Sequence, residues 1–203
     1  MAYETILVEK SDAVATVTLN RPAKLNAINA TMLQELEQLF RELREDTGTR
    51  LVIFTGAGQA FSAGADLTDL SGPPESTEAS LGDVMRLVQL AGQDFTRSLE
   101  SLEQVTIAAV NGHAMGAGLV IAMACDFRVA ARSASLGIPE ANVGIFFTWG
   151  CTPRLTRLIG PAKAKEMIMT CEPVGAEEAL RIGLVNRVID DDDLMGSAHE
   201  LAA

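Results

Sequence analysis

Strands are the first elements that the pattern of apolar positions predicts. The opening residues, MAYETILVEK, indicate a strand near the start of the chain. In Ala13–Leu19 the odd positions are all apolar and the even ones include two threonines, which predicts a second strand with one buried face. Arg50–Thr55 and Val105–Val110 are apolar at most positions and predict strands that are buried on both faces. Asp126–Ala131 predicts a further strand.

Two long helices are predicted between these strands. The first begins near Thr31, which has capping-box spacing with Gln34, and Gly48 suits its end. Its apolar residues recur at helical intervals at Met32, Leu36, Leu39, Phe40 and Leu43. The second helix has one apolar stripe, formed by Val84, Val88, Ala91, Phe95, Leu99 and Leu102. Each stripe predicts a helix that packs on one face.

Glycine and polar residues mark the connections. Ser71–Ser80 is polar and turn-rich, which predicts a mobile surface segment. The chain turns at Asn111 into a short apolar helix, Gly116–Ala124. Because strands and helices alternate along 203 residues, the expected fold is one α/β domain over residues 1–190. Residues 191–203 begin a helical segment of barely two turns, so either the chain is naturally short or a C-terminal segment is absent.

Composition and charge exclude several kinds of partner. With 48% hydrophobic residues the chain can form a sizeable core. Its net charge of −11 argues against nucleic acid, which requires a basic surface, and against an anionic membrane surface. No signal peptide and no apolar run of membrane-spanning length is predicted. Cys125, Cys151 and Cys171 form no CxxC pair, so a reducing, cytoplasmic location is expected.

Two glycine-rich loops are candidates for chemistry, and each follows a buried strand. The first is GAGQAFSAGAD (Gly56–Asp66), and the second is NGHAMGAGL (Asn111–Leu119), which opens a helix. Small residues let a ligand approach the main chain closely, and a helix N-terminus offers unpaired N–H groups. One N–H from each loop could bind a single oxygen as an oxyanion hole. The alternative is two tight turns with close packing.

Other chemistries lack the residues that they need. There is no GxxxxGK[ST] motif and no GxGxxG between a strand and a helix, so no nucleotide site of these types is predicted. No cluster of His, Cys and carboxylate residues has zinc spacing, so no metal site is predicted. His113 and His199 are the only histidines, which gives a Ser-His-Asp hydrolase little support. His113 lies in a predicted turn, where a structural role is expected.

Four motifs resemble successive signatures of the crotonase superfamily, the enoyl-CoA hydratase/isomerase family. They are LNRPAKLNAIN (Leu19–Asn29), FSAGADL (Phe61–Leu67), AVNGHAMGAG (Ala109–Gly118) with CDFRVA (Cys125–Ala130), and LGIPEANVGI (Leu136–Ile145). They follow the family's order across nearly the whole chain. The resemblance implies a spiral of repeated ββα units, with sheets nearly at right angles and a helical C-terminal part that this chain largely lacks. It also implies a homotrimer or a dimer of trimers.

Matching these motifs residue by residue implies a binding site for an acyl-CoA thioester. The oxyanion donors would be the main-chain N–H groups of Ala65 and Ala117, the second at a position where many relatives carry glycine. The CoA nucleotide would lie along Ala23, Lys24 and Leu25, and the pantetheine and thioester beside Ala63, Asp66 and Leu67. Lys24 is either a phosphate contact or a solvated surface lysine. CoA arrives with the substrate, so no other cofactor is expected.

The number of carboxylates distinguishes the reactions of this family. Its hydratases use two glutamates around a water molecule, and the matching positions here are Val120 and Glu140. Glu140 is expected to be the one catalytic side chain, because burial raises a carboxyl pKa and lets the group take and return a proton. Val120 cannot accept a hydrogen bond from water. The resemblance therefore favours an isomerase, with a hydratase, another crotonase reaction such as thioester hydrolysis, or a catalytically silent acyl-CoA-binding protein as alternatives.

An aromatic run follows Glu140. Relatives are often rich in proline and glycine there, whereas this chain has Phe146, Phe147 and Trp149. Two interpretations stay open. Phe146 and Trp149 line an acyl pocket together with Val120, or the aromatic rings pack into a subunit or helix contact.

Overall fold

Two β-sheets and six helices form the described part of the chain, which is residues 3–68 and 81–202 of a computed structural model. The ten strands are β1 (Ile6–Ser11), β2 (Val14–Leu19), β3 (Leu51–Gly56), β4 (Ala60–Ser62), β5 (Val105–Val110), β6 (His113–Met115), β7 (Phe127–Ala131), β8 (Ser135–Gly137), β9 (Val174–Gly175) and β10 (Arg187–Ile189). The helices are α1 (Ala30–Glu45), α2 (Leu81–Glu100), α3 (Ala117–Ala124), α4 (Cys151–Thr170), α5 (Ala176–Arg181) and α6 (Leu194–Ala202). The predicted mobile segment Ser71–Ser80 lies outside the described residues.

The larger sheet has the order β1-β2-β3-β5-β7-β10. Its first two strands form an antiparallel hairpin, and the remaining neighbours pair in parallel. Four of the five predicted strands are confirmed within one residue at each end, whereas the first, predicted over the opening ten residues, begins only at Ile6. Ala15, Val17 and Leu19 of β2 are fully buried, as their alternation predicts. Parallel pairing explains the continuous apolar runs of β3 and β5, because helices or further strands cover both faces of such a sheet.

Helix α1 confirms the predicted stripe but not the predicted cap. Its five buried residues are Met32, Leu36, Leu39, Phe40 and Leu43. The N-cap is Asn29, whose side-chain oxygen accepts a hydrogen bond from the Met32 N–H at 2.9 Å, so Thr31 lies inside the first turn. Asparagine is among the best N-cap residues and is preferred over threonine, so the helix begins after Asn29 rather than at Thr31.

The stripe on α2 is only partly confirmed. Phe95 and Leu99 are buried, but Ala91 is exposed and Gly92 is buried in its place. The indole of Trp149 packs so closely on Gly92 that any Cβ there would overlap the ring. Leu102 lies beyond the end of the helix, and the side chain of Val84 is outside the described part. A glycine that is buried under an aromatic ring is not recognisable from the pattern of apolar side chains.

The smaller sheet, β4-β6-β8-β9, positions the two glycine-rich loops. Strand β4 pairs in parallel with β6, with Ala60 opposite His113. Parallel strands end at the same edge, so the segments that follow them leave side by side. His113 therefore lies in a short strand rather than in the predicted turn, and its Nδ1 is 2.7 Å from the Ser135 hydroxyl on β8. Three-residue strands fall below the length at which alternation is recognisable.

The last two elements close against the larger sheet. Leu194 and Ala198 of α6 are buried, and Ser133 after β7 donates its N–H to Asp191 at 3.1 Å.

Helix α4 is broken at Gly160, whose φ of 76° and ψ of 161° precede Pro161. Across the described ranges, no helix combines the length and the apolar character that crossing a membrane requires.

Candidate active site

One small cavity of about 60 Å³ brings together the predicted catalytic and acyl-pocket residues. It is lined by Ala65, Ala117, Val120, Glu140, Phe146 and Trp149, all of which were predicted for the site. Further lining residues are Val88, Gln89, Ile145, Phe147 and Thr148. Residues from both glycine loops, α2, α3 and the segment after β8 therefore converge on one point.

The two glycine loops touch through their main chains. Gly64 has a φ of 99°, and a Cβ there would lie 2.9 Å from the Met115 carbonyl oxygen and 3.5 Å from the Ala117 nitrogen. A Cβ on Gly118 would similarly lie 2.5 Å from the Ser62 carbonyl oxygen. Only residues without a side chain permit this approach. The alternative of close packing is thus correct for these glycines, and the same packing sets Ala65 beside the start of α3.

The Ala65 N–H is turned away from its neighbouring segment. Ile28 donates its N–H to the Gly64 carbonyl at 2.8 Å and accepts from the Asp66 N–H at 2.9 Å. These two bonds flank Ala65, so its own N–H faces the opposite side, as alternation along an extended chain requires. Ala117 is the first residue of α3, where N–H groups have no acceptor within the helix. Both alanines line the cavity, and their role as main-chain donors stays a prediction.

A buried asparagine fixes the first loop. Asn26 is fully buried with a φ of 56°, and its Nδ2 donates to the carbonyls of Ala57 and Ala60 at 2.9 and 2.7 Å. Its own carbonyl accepts from the Ser62 hydroxyl at 2.8 Å. Sequence reasoning missed this role. Asparagine tolerates the left-handed conformation, which is a signal that could have singled it out within LNRPAKLNAIN.

Glu140 places its carboxylate on the start of α3. Its Oε1 lies 2.6 Å from the position that a Cβ on Gly116 would occupy, and Gly116 has a φ of 48°. Its Oε2 is buried and has no hydrogen-bond partner among the described residues. Burial raises the pKa of Glu140 from 4.5 to about 7, and a hydrogen bond from its own N–H only partly opposes this effect. A carboxyl with such a pKa can both take and return a proton near neutral pH.

The cavity is apolar at Val120, the position that matches the second glutamate of the family's hydratases. Val120 is 2% exposed, in a helix whose residues are all buried. The other polar side chains that line the cavity are Gln89 and Thr148. Gln89 was missed, because a single glutamine on an amphipathic helix is indistinguishable from a surface residue. Val88 was assigned to the core stripe of α2 and instead lines the cavity.

The aromatic run makes the predicted helix contact and also lines the cavity, whereas its role as an acyl pocket stays a prediction. Trp149 is 8% exposed, lines the cavity and packs edge-on against Phe95 of α2, with ring centroids 6.1 Å apart. Its φ of 54° is unusual for a bulky residue and is stabilised by this packing. Phe147 is buried, whereas Phe146 is 79% exposed at the cavity rim. Trp149 thus joins α2 to the cavity, and Phe146 lies at its exposed edge.

The residues assigned to CoA lie outside this cavity and next to one another. Ala23 and Lys24 belong to a 3₁₀ turn, Pro22–Lys24, and the carbonyl of Leu25 accepts the Ala63 N–H at 2.9 Å. Lys24 and Ala63 are exposed, as are Leu25 and Leu67. The two predicted segments therefore form one continuous surface. The exposure of Lys24 fits both interpretations of its role.

Asp66 has a structural environment. Its carboxylate accepts from the Thr68 hydroxyl at 2.6 Å and pairs with Arg21 at 3.0 Å. The hydrogen bonds from Thr68, followed by the one from Arg21, hold the pKa of Asp66 below its usual value. A carboxylate with several donors is a weak base. Asp66 therefore stabilises the first loop, and Glu140 is the better candidate for proton transfer.

Within residues 3–68 and 81–202, no three His, Cys, Asp or Glu side chains are grouped as a metal would require. Cys125, Cys151 and Cys171 are buried and free. Burial raises the pKa of the Cys125 and Cys151 thiols to about 12, so neither is a ready nucleophile.

Comparison with known proteins supports the resemblance along the whole chain. The family model "Enoyl-CoA hydratase/isomerase" matches residues 9–203. A short-chain-enoyl-CoA hydratase of Clostridium acetobutylicum is 42% identical over 203 residues, which cover 100% of this chain and 75% of the relative. A crystal structure of an enoyl-CoA hydratase from Bacillus anthracis has a TM-score of 0.90 and 39% identity, covering 98% of this chain and 75% of that one. A monofunctional enoyl-CoA isomerase from M. smegmatis has a TM-score of 0.80 and 36% identity, with 98% and 83% covered.

Proposed function

This chain belongs to the enoyl-CoA hydratase/isomerase family and has its crotonase fold, and we propose that it moves the double bond of an enoyl-CoA through an enolate. The family acts on acyl-CoA thioesters. The observation that carries the proposal is that, among the residues that the structure describes, Glu140 is the one carboxylate lining the cavity. Val120 lines the same cavity and occupies, by the motif match, the position of the second glutamate of the family's hydratases.

Glu140 would move one proton between two carbons of the substrate. The carboxylate takes a proton from the carbon next to the thioester carbonyl, and the electron pair of the broken C–H bond delocalises into a dienolate. The N–H groups of Ala65 and Ala117 stabilise the negative charge on the thioester oxygen, and each such donor commonly contributes about 10²–10³ in rate. Glu140 then returns the proton to the carbon at the far end of the dienolate, so the double bond shifts and no atom is gained or lost.

The apolar side chain of Val120 supports an isomerase over a hydratase. Addition of water needs a group that positions the molecule and a group that transfers its proton. Val120 is apolar and buried, so it supplies no such acceptor. The names of several relatives favour the hydratase instead, including the crotonyl-CoA hydratase of Syntrophomonas wolfei at 39% identity. Hydration is therefore the rival reaction.

The two reactions are separated by supplying each substrate in turn. The protein should convert a 3-enoyl-CoA to the trans-2-enoyl-CoA and should hydrate crotonyl-CoA much more slowly. Val120→Glu should increase hydration, and Val120→Gln should not, because it has similar bulk without a carboxylate. Rapid hydration by the unsubstituted protein would establish the hydratase and reject the inference from Val120. Binding of acyl-CoA without turnover of either substrate would indicate a silent binding protein.

We further propose that CoA lies along the surface formed by Ala23, Lys24, Leu25, Ala63 and Leu67. Two features support this: the main-chain bond between Leu25 and Ala63, and the position of both segments beside Ala65. Lys24→Ala should raise the KM for acyl-CoA without lowering kcat if the lysine meets a phosphate. A homotrimer or a dimer of trimers, with CoA entering as part of the substrate, completes the proposal.

A further inference from the structure

Glu140 borders a second cavity as well as the first. The second cavity has a volume of about 350 Å³, against about 60 Å³ for the cavity that contains the main-chain donors. Its lining residues are Ile138, Glu140, Ala141, Ile145, Phe146, Phe147, Thr152 and Ile168. Four of these residues, Glu140 and Ile145–Phe147, also line the first cavity. The Glu140 side chain therefore borders both cavities.

The second cavity is chemically suited to a hydrocarbon chain. Six of its eight lining residues are apolar, and the hydroxyl of Thr152 is already donated to the Phe147 carbonyl at 3.0 Å. Glu140 is the one ionisable side chain among the described residues that line it, and Oε2 of that side chain is buried with no hydrogen-bond partner in the same part of the chain. Pockets that bind ligands are mostly apolar, with a few polar groups at the reacting end. This cavity has that distribution.

Ile145–Phe147 form the wall between the two cavities, and a main-chain hydrogen bond joins this wall to Glu140. The Ile145 N–H donates to the Glu140 carbonyl at 3.0 Å, so the wall and the base form one unit. Phe147 is buried in the wall, whereas the ring of Phe146 is 79% exposed at its outer edge. Phe146 is therefore a solvent-exposed residue of the wall that both cavities share.

On the basis of the proposed function, we propose that the second cavity binds the distal part of an aliphatic acyl chain, and that Ile168 at its wall limits chain length. The small first cavity holds the reacting carbons between Ala65, Ala117 and Glu140. Carbons beyond them follow the outer side of Ile145–Phe147 and become buried against Ile138 and Ile168. The enzyme then prefers medium-length chains over the four-carbon substrate.

The test is a series of substrates with acyl chains of four, six, eight and ten carbons. Each methylene that becomes buried should raise kcat/KM about fourfold, which corresponds to about 0.8 kcal/mol per methylene. Ile168→Trp should remove the gain in kcat/KM from the longer chains. Ile168→Ala should extend the gain to longer chains. Met169→Trp adds the same ring at the next residue, which is 78% exposed, and should leave the series unchanged.

Two results would overturn the assignment: a flat series in the unsubstituted protein, or an Ile168→Trp series that matches that of Met169→Trp. The dissociation constants of saturated acyl-CoAs of the same lengths, measured with Glu140→Gln, provide a readout that does not depend on turnover. If no double bond is moved but affinity still rises with chain length and falls in Ile168→Trp, the cavity assignment stands and the proposed reaction fails.

Discussion

Replacing Glu140 with glutamine should change how the stability of the protein depends on pH. The pKa of Glu140 is raised from 4.5 to about 7 because the carboxyl is buried. The folded state therefore keeps this proton over a pH range in which the unfolded chain has lost it. Folding is favoured most below pH 4.5, and this contribution is lost as the pH rises to about 7. Glutamine has no proton to lose, so the variant should not show this loss.

The size of the effect follows from the shift. One pKa unit corresponds to about 1.4 kcal/mol, so the full shift corresponds to about 3 kcal/mol. Because the side chain is only partly buried, solvent screening reduces the expected value to roughly 2 kcal/mol. The free energy of unfolding of the original protein minus that of Glu140→Gln should fall by this amount between pH 4.5 and pH 8. Other titrating groups cancel in the difference.

Urea unfolding followed by circular dichroism at several pH values measures this difference. Glu172→Gln is the matched control, because the same substitution is made at an exposed position after α4. The two differences are compared at each pH. A Glu140→Gln difference that does not change with pH would refute the burial argument, and with it the claim that Glu140 can exchange a proton near neutral pH.

Two further substitutions test the oxyanion donors and the packing of the pocket. Ala117→Pro removes a main-chain donor at the first position of α3, where proline is tolerated, so turnover should fall about 10²–10³-fold with the fold retained. Ala117→Gly keeps the donor and should keep the activity. Equal rates in the two variants would remove Ala117 from the mechanism. Gly92→Ala should destabilise the protein by about 1–3 kcal/mol in urea unfolding, because the new methyl group displaces Trp149. Gly196→Ala in α6 has no neighbour within 4 Å and should instead stabilise by about 0.5–1 kcal/mol, so destabilisation in both variants would contradict the packing argument.

Long elements could be predicted from the sequence because their pattern repeats often enough to be recognised. Helix α1 has five apolar residues at helical spacing, and all five are buried. Strands β3 and β5 are apolar runs in the centre of a parallel sheet. Interactions between distant residues set what could not be predicted. The cap at Asn29, the short strand β6 and the burial of Gly92 each depend on a partner that the local sequence does not specify.

The site residues also fall into those that could be predicted from the sequence and those that could not. Motif matching named Ala65, Ala117 and Glu140, and the structure places all three at one cavity. Gln89 lines the cavity because of the way α2 packs over the glycine loops. That packing cannot be predicted from the spacing of apolar residues. The second cavity beside Glu140 arises between the 3₁₀ turn Glu140–Val143, the segment that follows it and α4, so its lining comes from residues that are far apart in the sequence.

Exchange of the substrate's α-hydrogen with solvent deuterium is the most direct test of the central claim that Glu140 removes that proton to form an enolate. The measurement needs a saturated acyl-CoA in deuterium oxide and mass spectrometry of the recovered thioester, and it does not depend on whether the enzyme is an isomerase or a hydratase. The original protein should catalyse exchange at the carbon next to the carbonyl, and Glu140→Gln should slow it about 10²–10⁴-fold. The affinity for acyl-CoA should change only a few-fold. Exchange that continues at the original rate in Glu140→Gln would contradict the account and assign the base to another residue.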